Sequence, residues 1–446
     1  MTTSVPAGDF VPPPSTAGWR PYLVDLWKAP ARARAALAGS LLLMLVSPSG
    51  LSAMTTYIVP AFSRDTGTRP ADGILVFVTL PLLVGPVVLP FAGRLTDRLG
   101  ARRVAVPAGV AYAATTALVP LCAPSVPLVA VMLILAAVCG FMASLGVVFK
   151  VVSTWLPQHK GVGFALIGVV SSLGAAVFSP VFQWLISGGG GLGWKGTYFV
   201  AAGLIAVVAL PTALFLVSEP AVPTAVPTKA PPPLPGVELR KALSTRVWIS
   251  ITVALALAAA GTMTMRQIAV DFFGERGFSE ATVSLAVSGL FTASVVGLFV
   301  GGLALDRTDR PWVVVPMLAA VPAGLLVGFL DHGSTPLLYV TMFLLGFAYG
   351  AESALGPFLI ARYFGLAAFG QLQGLTLAIA TLSLGLAPYL VSAAEGWTGS
   401  YTGPVLTLLV LTLAAVVLTA LLPKFPPAWD TGRTPDRTTE RTTDPV

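Results

Sequence analysis

Gly93-Arg94-Leu95-Thr96-Asp97-Arg98 follows the second long apolar run of the chain, and Gly302-Leu303-Ala304-Leu305-Asp306-Arg307 follows the eighth, 209 positions later. Two further echoes lie at similar offsets. Ser172-Leu173-Gly174 returns as Ser383-Leu384-Gly385 after 211 positions, and Gly193-Trp194-Lys195-Gly196-Thr197-Tyr198 as Gly396-Trp397-Thr398-Gly399-Ser400-Tyr401 after 203. Offsets this close describe one unit copied once, with small insertions and deletions. Two similar halves built of apolar runs and related by a pseudo-twofold axis are the architecture of a carrier that alternates access between two sides of a membrane.

Composition agrees. Of the 446 residues 55% are hydrophobic and only 10% charged, against about 25% charged in soluble domains. The apolar runs reach the roughly 20 residues that a bilayer-spanning helix needs. The net charge of +7 is not a nucleic-acid signal, because the basic residues sit in tails and short loops, where insertion topology puts them. Cys122 and Cys139 lie in or beside apolar runs and suggest no disulfide framework. His159 and His332 are remote in sequence, so neither a metal site nor a cofactor is expected.

Twelve spans are predicted, at 35–60, 73–92, 104–123, 128–150, 163–186, 197–217, 248–270, 282–304, 312–330, 336–358, 370–392 and 402–423. The fold expected is all-α and membrane-embedded, with a six-helix bundle over 35–217 and another over 248–423. With the first tail inside, the cytoplasmic tails and loops hold 21 of the 26 Lys and Arg residues, which predicts both termini in the cytoplasm. Residues 1–34 read as a polar, Pro-rich tail without the compact apolar core of a signal peptide. The 218–247 segment reads as a Pro-rich linker ending in a short basic surface helix over Val237–Trp248. Residues 424–446 read as a disordered tail.

Gly93-Arg94-Leu95-Thr96-Asp97-Arg98-Leu99-Gly100-Ala101-Arg102-Arg103, between spans two and three, resembles the corresponding motif of the major facilitator superfamily. The second copy keeps Gly302, Asp306 and Arg307 but lacks the later Gly-x-Arg-Arg. Trp155-Leu156-Pro157-Gln158-His159-Lys160-Gly161, Gly350-Ala351-Glu352-Ser353, Arg362-Tyr363-Phe364-Gly365 and Gly399-Ser400-Tyr401 resemble one branch of it, the bacterial monocarboxylate and oxalate/formate carriers. The superfamily resemblance implies a conformational gate at Gly93, Asp97, Arg98, Gly100, Arg102 and Arg103, with a weaker one at Asp306 and Arg307. It also implies a path lined by spans one, four, seven and ten, which makes Thr56, Tyr57 and Tyr349 candidate substrate contacts. Hydrogen bonding between helices is the plainer role for such hydroxyls.

Charges inside the spans are few. Glu352, about two-thirds of the way along span ten toward the cytoplasm, is a candidate proton-coupling group, since an intramembrane acid needs a partner, water or a proton. The plainer alternative is a glutamate that stabilises packing. Arg266 ends the predicted span seven near the outer face, where a planar five-donor cation suits a carboxylate substrate and where it could equally snorkel to headgroups. Lys150 reads as an interfacial anchor. Ser47-Pro48-Ser49-Gly50 is expected to bend span one and expose carbonyls. Gly188-Gly189-Gly190-Gly191-Leu192-Gly193-Trp194-Lys195 lacks phosphate-loop spacing.

The sequence therefore predicts a monomeric secondary transporter of the cell membrane. Its expected partners are the lipid bilayer and a small organic anion, a mono- or dicarboxylate, moved by proton symport or anion exchange. The alternative is an exporter of a larger apolar metabolite or drug by proton antiport. A membrane enzyme would need a His, Asp, Cys or Glu cluster facing one leaflet, which the sequence does not offer; a transporter-like sensor is a further alternative.

Overall fold

The computed structural model describes residues 31–123, 125–155, 160–187, 189–217, 236–306, 310–365 and 367–425. Eleven helices among them are long and apolar enough to cross a membrane. The twelfth crossing, span one, is made in two pieces, Ala31–Leu45 and Met54–Thr66. The bend expected at Ser47-Pro48-Ser49-Gly50 is thus a full interruption. Pro48 has no N–H to continue the ladder, and the Ser47 hydroxyl takes over as acceptor from the Gly50 N–H at 3.2 Å while donating to the Met44 carbonyl at 2.7 Å. Gly50 is required: a Cβ there would stand 2.1 Å from the Leu45 carbonyl oxygen. Pro48 in turn nests on Gly140 of span four, where a Cβ would come within 2.6 Å of its ring.

The remaining crossings are span two, Pro70–Thr96, span three, Ala101–Cys122, span four, Val126–Val152, span five within Lys160–Ser187, and span six, Gly193–Leu216. The second half runs Arg246–Gly274, Glu280–Leu305, Pro311–Leu330, Thr335–Phe364, Phe369–Thr398 and Thr402–Ala420. Three of these run well past the apolar pattern, span eleven among them, which continues past 392 to Thr398. Span seven continues past 270 to Gly274, and span ten past 358 to Phe364. The extensions of spans seven and ten move a charged candidate inward, as described below.

Spans eight and ten share a seam of backbone against backbone. Added Cβ atoms at Gly297, Gly346 and Gly350 would lie 2.0, 2.0 and 1.8 Å from the carbonyl oxygens of Phe347, Leu290 and Ser294. Small residues of this kind let membrane helices approach until dispersion between their main chains becomes the dominant contact.

The two halves are joined near the end of the molecule that carries Arg64. The following cross-half hydrogen bonds lie in the portion of each helix nearer that end. Thr79 Oγ1 donates to the Gly385 carbonyl at 2.6 Å, Ser179 Oγ to the Ser284 carbonyl at 3.0 Å, and Ser288 Oγ to the Ala176 carbonyl. Gln267 is joined to Thr55 twice, and Arg64 pairs with Glu280 at 3.1 Å.

The basic surface helix expected over Val237–Trp248 is reduced to Leu239–Leu243. Thr245 ends it by capping span seven, its hydroxyl accepting from the Trp248 N–H at 3.2 Å. The chain is anchored just before this by a bridge between Gly236 and Gly365, with the Val237 N–H donating to the Phe364 carbonyl at 2.8 Å. Phe425 stacks on Tyr363 at the same helix end, ring centroids 5.1 Å apart. The linker 218–235 and the tail beyond 425 lie outside the described residues.

Candidate functional site

Between the halves lies a cavity of about 240 Å³. Its walls come from more of the molecule than spans one, four, seven and ten: spans two, three, six, eight and eleven contribute Phe77, Tyr112, Tyr198, Phe291 and Leu384. Most of the surface is aliphatic or aromatic. Arg266 is the one charged side chain among the residues that line it.

Span seven fixes Arg266. The helix is capped at Thr245, runs unbroken to Gly274 and is buried along most of its length. Arg266 therefore does not end a span at the headgroups, as the shorter predicted helix implied. It sits two turns inside, only 6% exposed, and the snorkelling reading is overturned. Its guanidinium donates to the Ser52 carbonyl across the halves at 3.1 Å and to the Met263 sulfur at 2.8 Å, and lies 5.5 Å from the Phe291 ring centre. No carboxylate pairs with it among the described residues. A guanidinium has five N–H donors, and a thioether is a weak acceptor, so most of this cation's hydrogen-bonding capacity is unspent. A buried charge without a counter-charge is costly, and the shortfall is the kind that a bound anion removes.

The broken first span serves this residue. Because the ladder is interrupted between Leu45 and Met54, the Ser52 carbonyl can turn toward span seven. The next turn is stitched to it as well: Gln267 Nε2 donates to the Thr55 carbonyl at 3.0 Å, and the one Thr55 hydroxyl hydrogen is shared between the Ser52 carbonyl at 2.9 Å and Gln267 Oε1 at 3.1 Å. Thr262, four residues before Arg266 and so on the same helix face, is among the lining residues, with its hydroxyl oxygen enclosed by protein and without a partner.

The other sequence candidates divide. Tyr349 lines the cavity, within electrostatic reach of Arg266. Thr56 and Tyr57 are not among the lining residues. Thr56 is fully buried with its hydroxyl unpartnered. Tyr57, 2% exposed, hydrogen-bonds Ser179 at 2.5 Å, which reaches on to the Ser284 carbonyl, so Tyr57 is a strut of the closed seam. Glu352 lies one turn beyond Tyr349 on the same face of span ten, nearer the middle of that helix than the predicted 336–358 placed it. It is half-buried and has no ion-pair or hydrogen-bond partner among the described residues.

At the opposite end, the helix of span two runs through Gly93 to Leu99 and stops at Gly100, whose φ of 89° favours glycine. Arg98, Arg102 and Arg103 are exposed. Lys150, expected as an interfacial anchor, instead reaches this turn and donates to the Thr96 carbonyl at 2.7 Å, a cation placed at a helix C-terminus. The side chains of Asp97 and Asp306, and Arg307 altogether, lie outside the described residues.

Sequence reasoning missed Ser52, Thr262, Tyr112 and Tyr198. The i, i+4 spacing of Thr262 and Arg266 was a usable signal for the first of the hydroxyls. The tyrosines carried none, since one tyrosine in an apolar run looks like any other until the bundle is assembled.

Two pseudo-symmetric six-span bundles enclosing a central cavity define a class of membrane protein with carrier architecture. A family model for the Major Facilitator Superfamily matches residues 40–273 and again 260–444, and the chain belongs to that superfamily. Among curated relatives, it is 27% identical over 255 residues to the MFS transporter asaE of Aspergillus flavus, covering 56% of this chain and 55% of the relative. It is 25% identical over 148 residues to the uncharacterized MFS-type transporter YcxA of Bacillus subtilis, covering 33% and 35%. The matches thus span about half or less of those relatives' lengths. Among solved structures, a mutant form of the nucleoside transporter NupG superposes with a TM-score of 0.71 at 13% identity, covering 88% of this chain and all of that one. A bacterial homologue of the human lysosomal transporter Spinster, inward-facing and unoccupied, gives 0.62 at 16%, covering 88% and 95%. At such identities the likeness is one of fold.

Proposed function

We propose that the chain is a secondary transporter of the cell membrane that carries a small organic anion by alternating access, with Arg266 as the anchor. The observation behind this reading is a buried guanidinium in the central cavity without a carboxylate partner among the described residues. An anion there completes the hydrogen bonds that Ser52 and Met263 leave unfilled, and a planar carboxylate can take two donors at once. Glu352, half-buried on the Tyr349 face of span ten, is the group proposed to exchange a proton with the path. The positive-inside pattern of the sequence supports a cytoplasmic position for both termini.

Counterflow in proteoliposomes with a panel of labelled carboxylates tests the anchor. Accumulation should be lost in Arg266→Ala and reduced in Arg266→Lys, which keeps the charge but not the planar fork. Accumulation that survives in a folded Arg266→Ala protein defeats the reading and favours the apolar-metabolite exporter, for which the largely aliphatic and aromatic lining speaks. In Glu352→Gln, uptake of the same acid should lose its dependence on an imposed proton gradient; retained dependence removes Glu352 from the coupling.

A further inference from the structure

The cavity has a second polar pole. Tyr112 on span three and Tyr198 on span six belong to the first half, whereas Arg266, Thr262 and Tyr349 belong to the second. Both phenols are well buried, at 7% and 3% exposure, and they lie within electrostatic reach of each other. Neither hydroxyl has a hydrogen-bond partner among the described residues, and neither oxygen is sealed off by protein. Both tyrosines are among the residues that line the cavity. Thr116 beside them is already committed, its hydroxyl donating to the Tyr112 carbonyl at 2.7 Å. The surrounding wall is apolar: Phe77, Leu133, Phe141 and Phe291.

We propose that Tyr112 and Tyr198 form a subsite for an uncharged oxygen, so that the cavity takes a monoanion carrying a hydroxyl or carbonyl group away from its carboxylate. The proposal rests on the anion reading above and narrows it. One cation among the lining residues balances one negative charge. A second carboxylate at the tyrosine pole would be buried beside neutral donors and hydrocarbon with no counter-charge, which is far more costly than burying an uncharged oxygen that accepts a hydrogen bond. A wholly apolar far end fails in the opposite sense, because it strips water from two buried phenols and gives nothing back. A site built to hydrogen-bond a substrate oxygen rejects the analogue that lacks it for this reason.

Three acids of matched length separate these cases: hexanoate, 6-hydroxyhexanoate and adipate, together with their four- and eight-carbon counterparts so that chain length is sampled. Equilibrium binding to the purified full chain in nanodiscs is the readout. At the best chain length the hydroxy acid should bind at least about tenfold more tightly than either the alkanoate or the dicarboxylate. In Tyr112→Phe/Tyr198→Phe the preference over the alkanoate should fall to within about twofold while alkanoate binding itself is kept, which also reports that the variant is folded. Should the double variant lose alkanoate binding, the single substitutions are read instead, and at least one must cut the preference severalfold. Equal binding of hydroxy acid and alkanoate by the unaltered protein overturns the subsite and leaves the anion anchor standing. Preference for adipate, or a hydroxy-acid preference that persists without the phenols, overturns it too. Failure of every acid to bind overturns the anchor and the subsite together.

Discussion

Spans one and seven open the two halves and are counterparts, yet one is cut between Leu45 and Met54 while the other runs unbroken from Arg246 to Gly274. They meet at the wall of the cavity, and the contrast has a division of labour in it. The continuous helix holds a charge at fixed depth. The broken one supplies a main-chain oxygen that a regular helix would have spent on its own ladder. Arg266 and the Ser52 carbonyl meet because one repeat lost regularity where the other kept it. Repetition thus gives the frame, and the departure from repetition gives the polar site.

Removing the charge from the unbroken member should have the largest effect. Arg266→Ala should weaken carboxylate binding at least about 100-fold, the scale of deleting one partner of a buried charged pair, as read by isothermal titration. Mending the broken member comes next. Gly50→Ala would force a Cβ into the Leu45 carbonyl and should cost about 3 kcal/mol, seen as a lower melting temperature by differential scanning fluorimetry; an unchanged melting point would mean that the break is not held by this contact. Loosening the stitch between the two spans is milder. Gln267→Ala removes two hydrogen bonds to Thr55, each worth about 1 kcal/mol. It should raise the reactivity of a cysteine placed at Ser52 toward a reagent added from the Arg64 end by about tenfold.

Smaller still is the rim of that end. Arg64 and Glu280 are 63% and 30% exposed in their side chains, so Glu280→Gln should change transport less than about twofold, as expected of a solvated ion pair. Asp65 offers a pH test of the same rim. Hydrogen bonds from Lys195 and from the Trp194 indole hold its carboxyl below the usual carboxylate range. A lowered folded-state value means that the clasp contributes fully above the ordinary carboxylate range and is lost only as pH falls through the lowered value. Trp194 fluorescence should therefore stay constant from pH 7 to about 5, begin to change only below about 4, and be insensitive to pH in Asp65→Asn.

The fold was legible because its signals are local and repeated. Apolar length marks a span, and the copied Gly93–Arg98 stretch marks where the second half begins its own count. The interruption of span one was foreshadowed by Pro48 and Gly50, since a missing N–H and a missing Cβ act wherever they stand. The site was only partly legible. Arg266 could be found as a rare charge, but its depth could not, because the residues from 270 to Gly274 include Asp271 and break the apolar pattern without ending the helix. Tyr57 and Tyr349 looked equivalent by span and were separated only by which neighbour each faced, Ser179 or open space. Tyr112 and Tyr198 needed three-dimensional packing to become neighbours at all.

The glycine seam of spans eight and ten bears on how the cavity can change width. With Gly297, Gly346 and Gly350 set against opposing carbonyls, no side chain stands between the helices at these three points to switch rotamer. The pair behaves as a single plank, stiff across its width and free only to tilt as a whole. Phe291 and Tyr349, one on each board of that plank, must then keep their mutual spacing through any cycle. The wall beside Arg266 is a fixed jaw, and the adjustment to a bound molecule falls to the partner whose first helix is already cut.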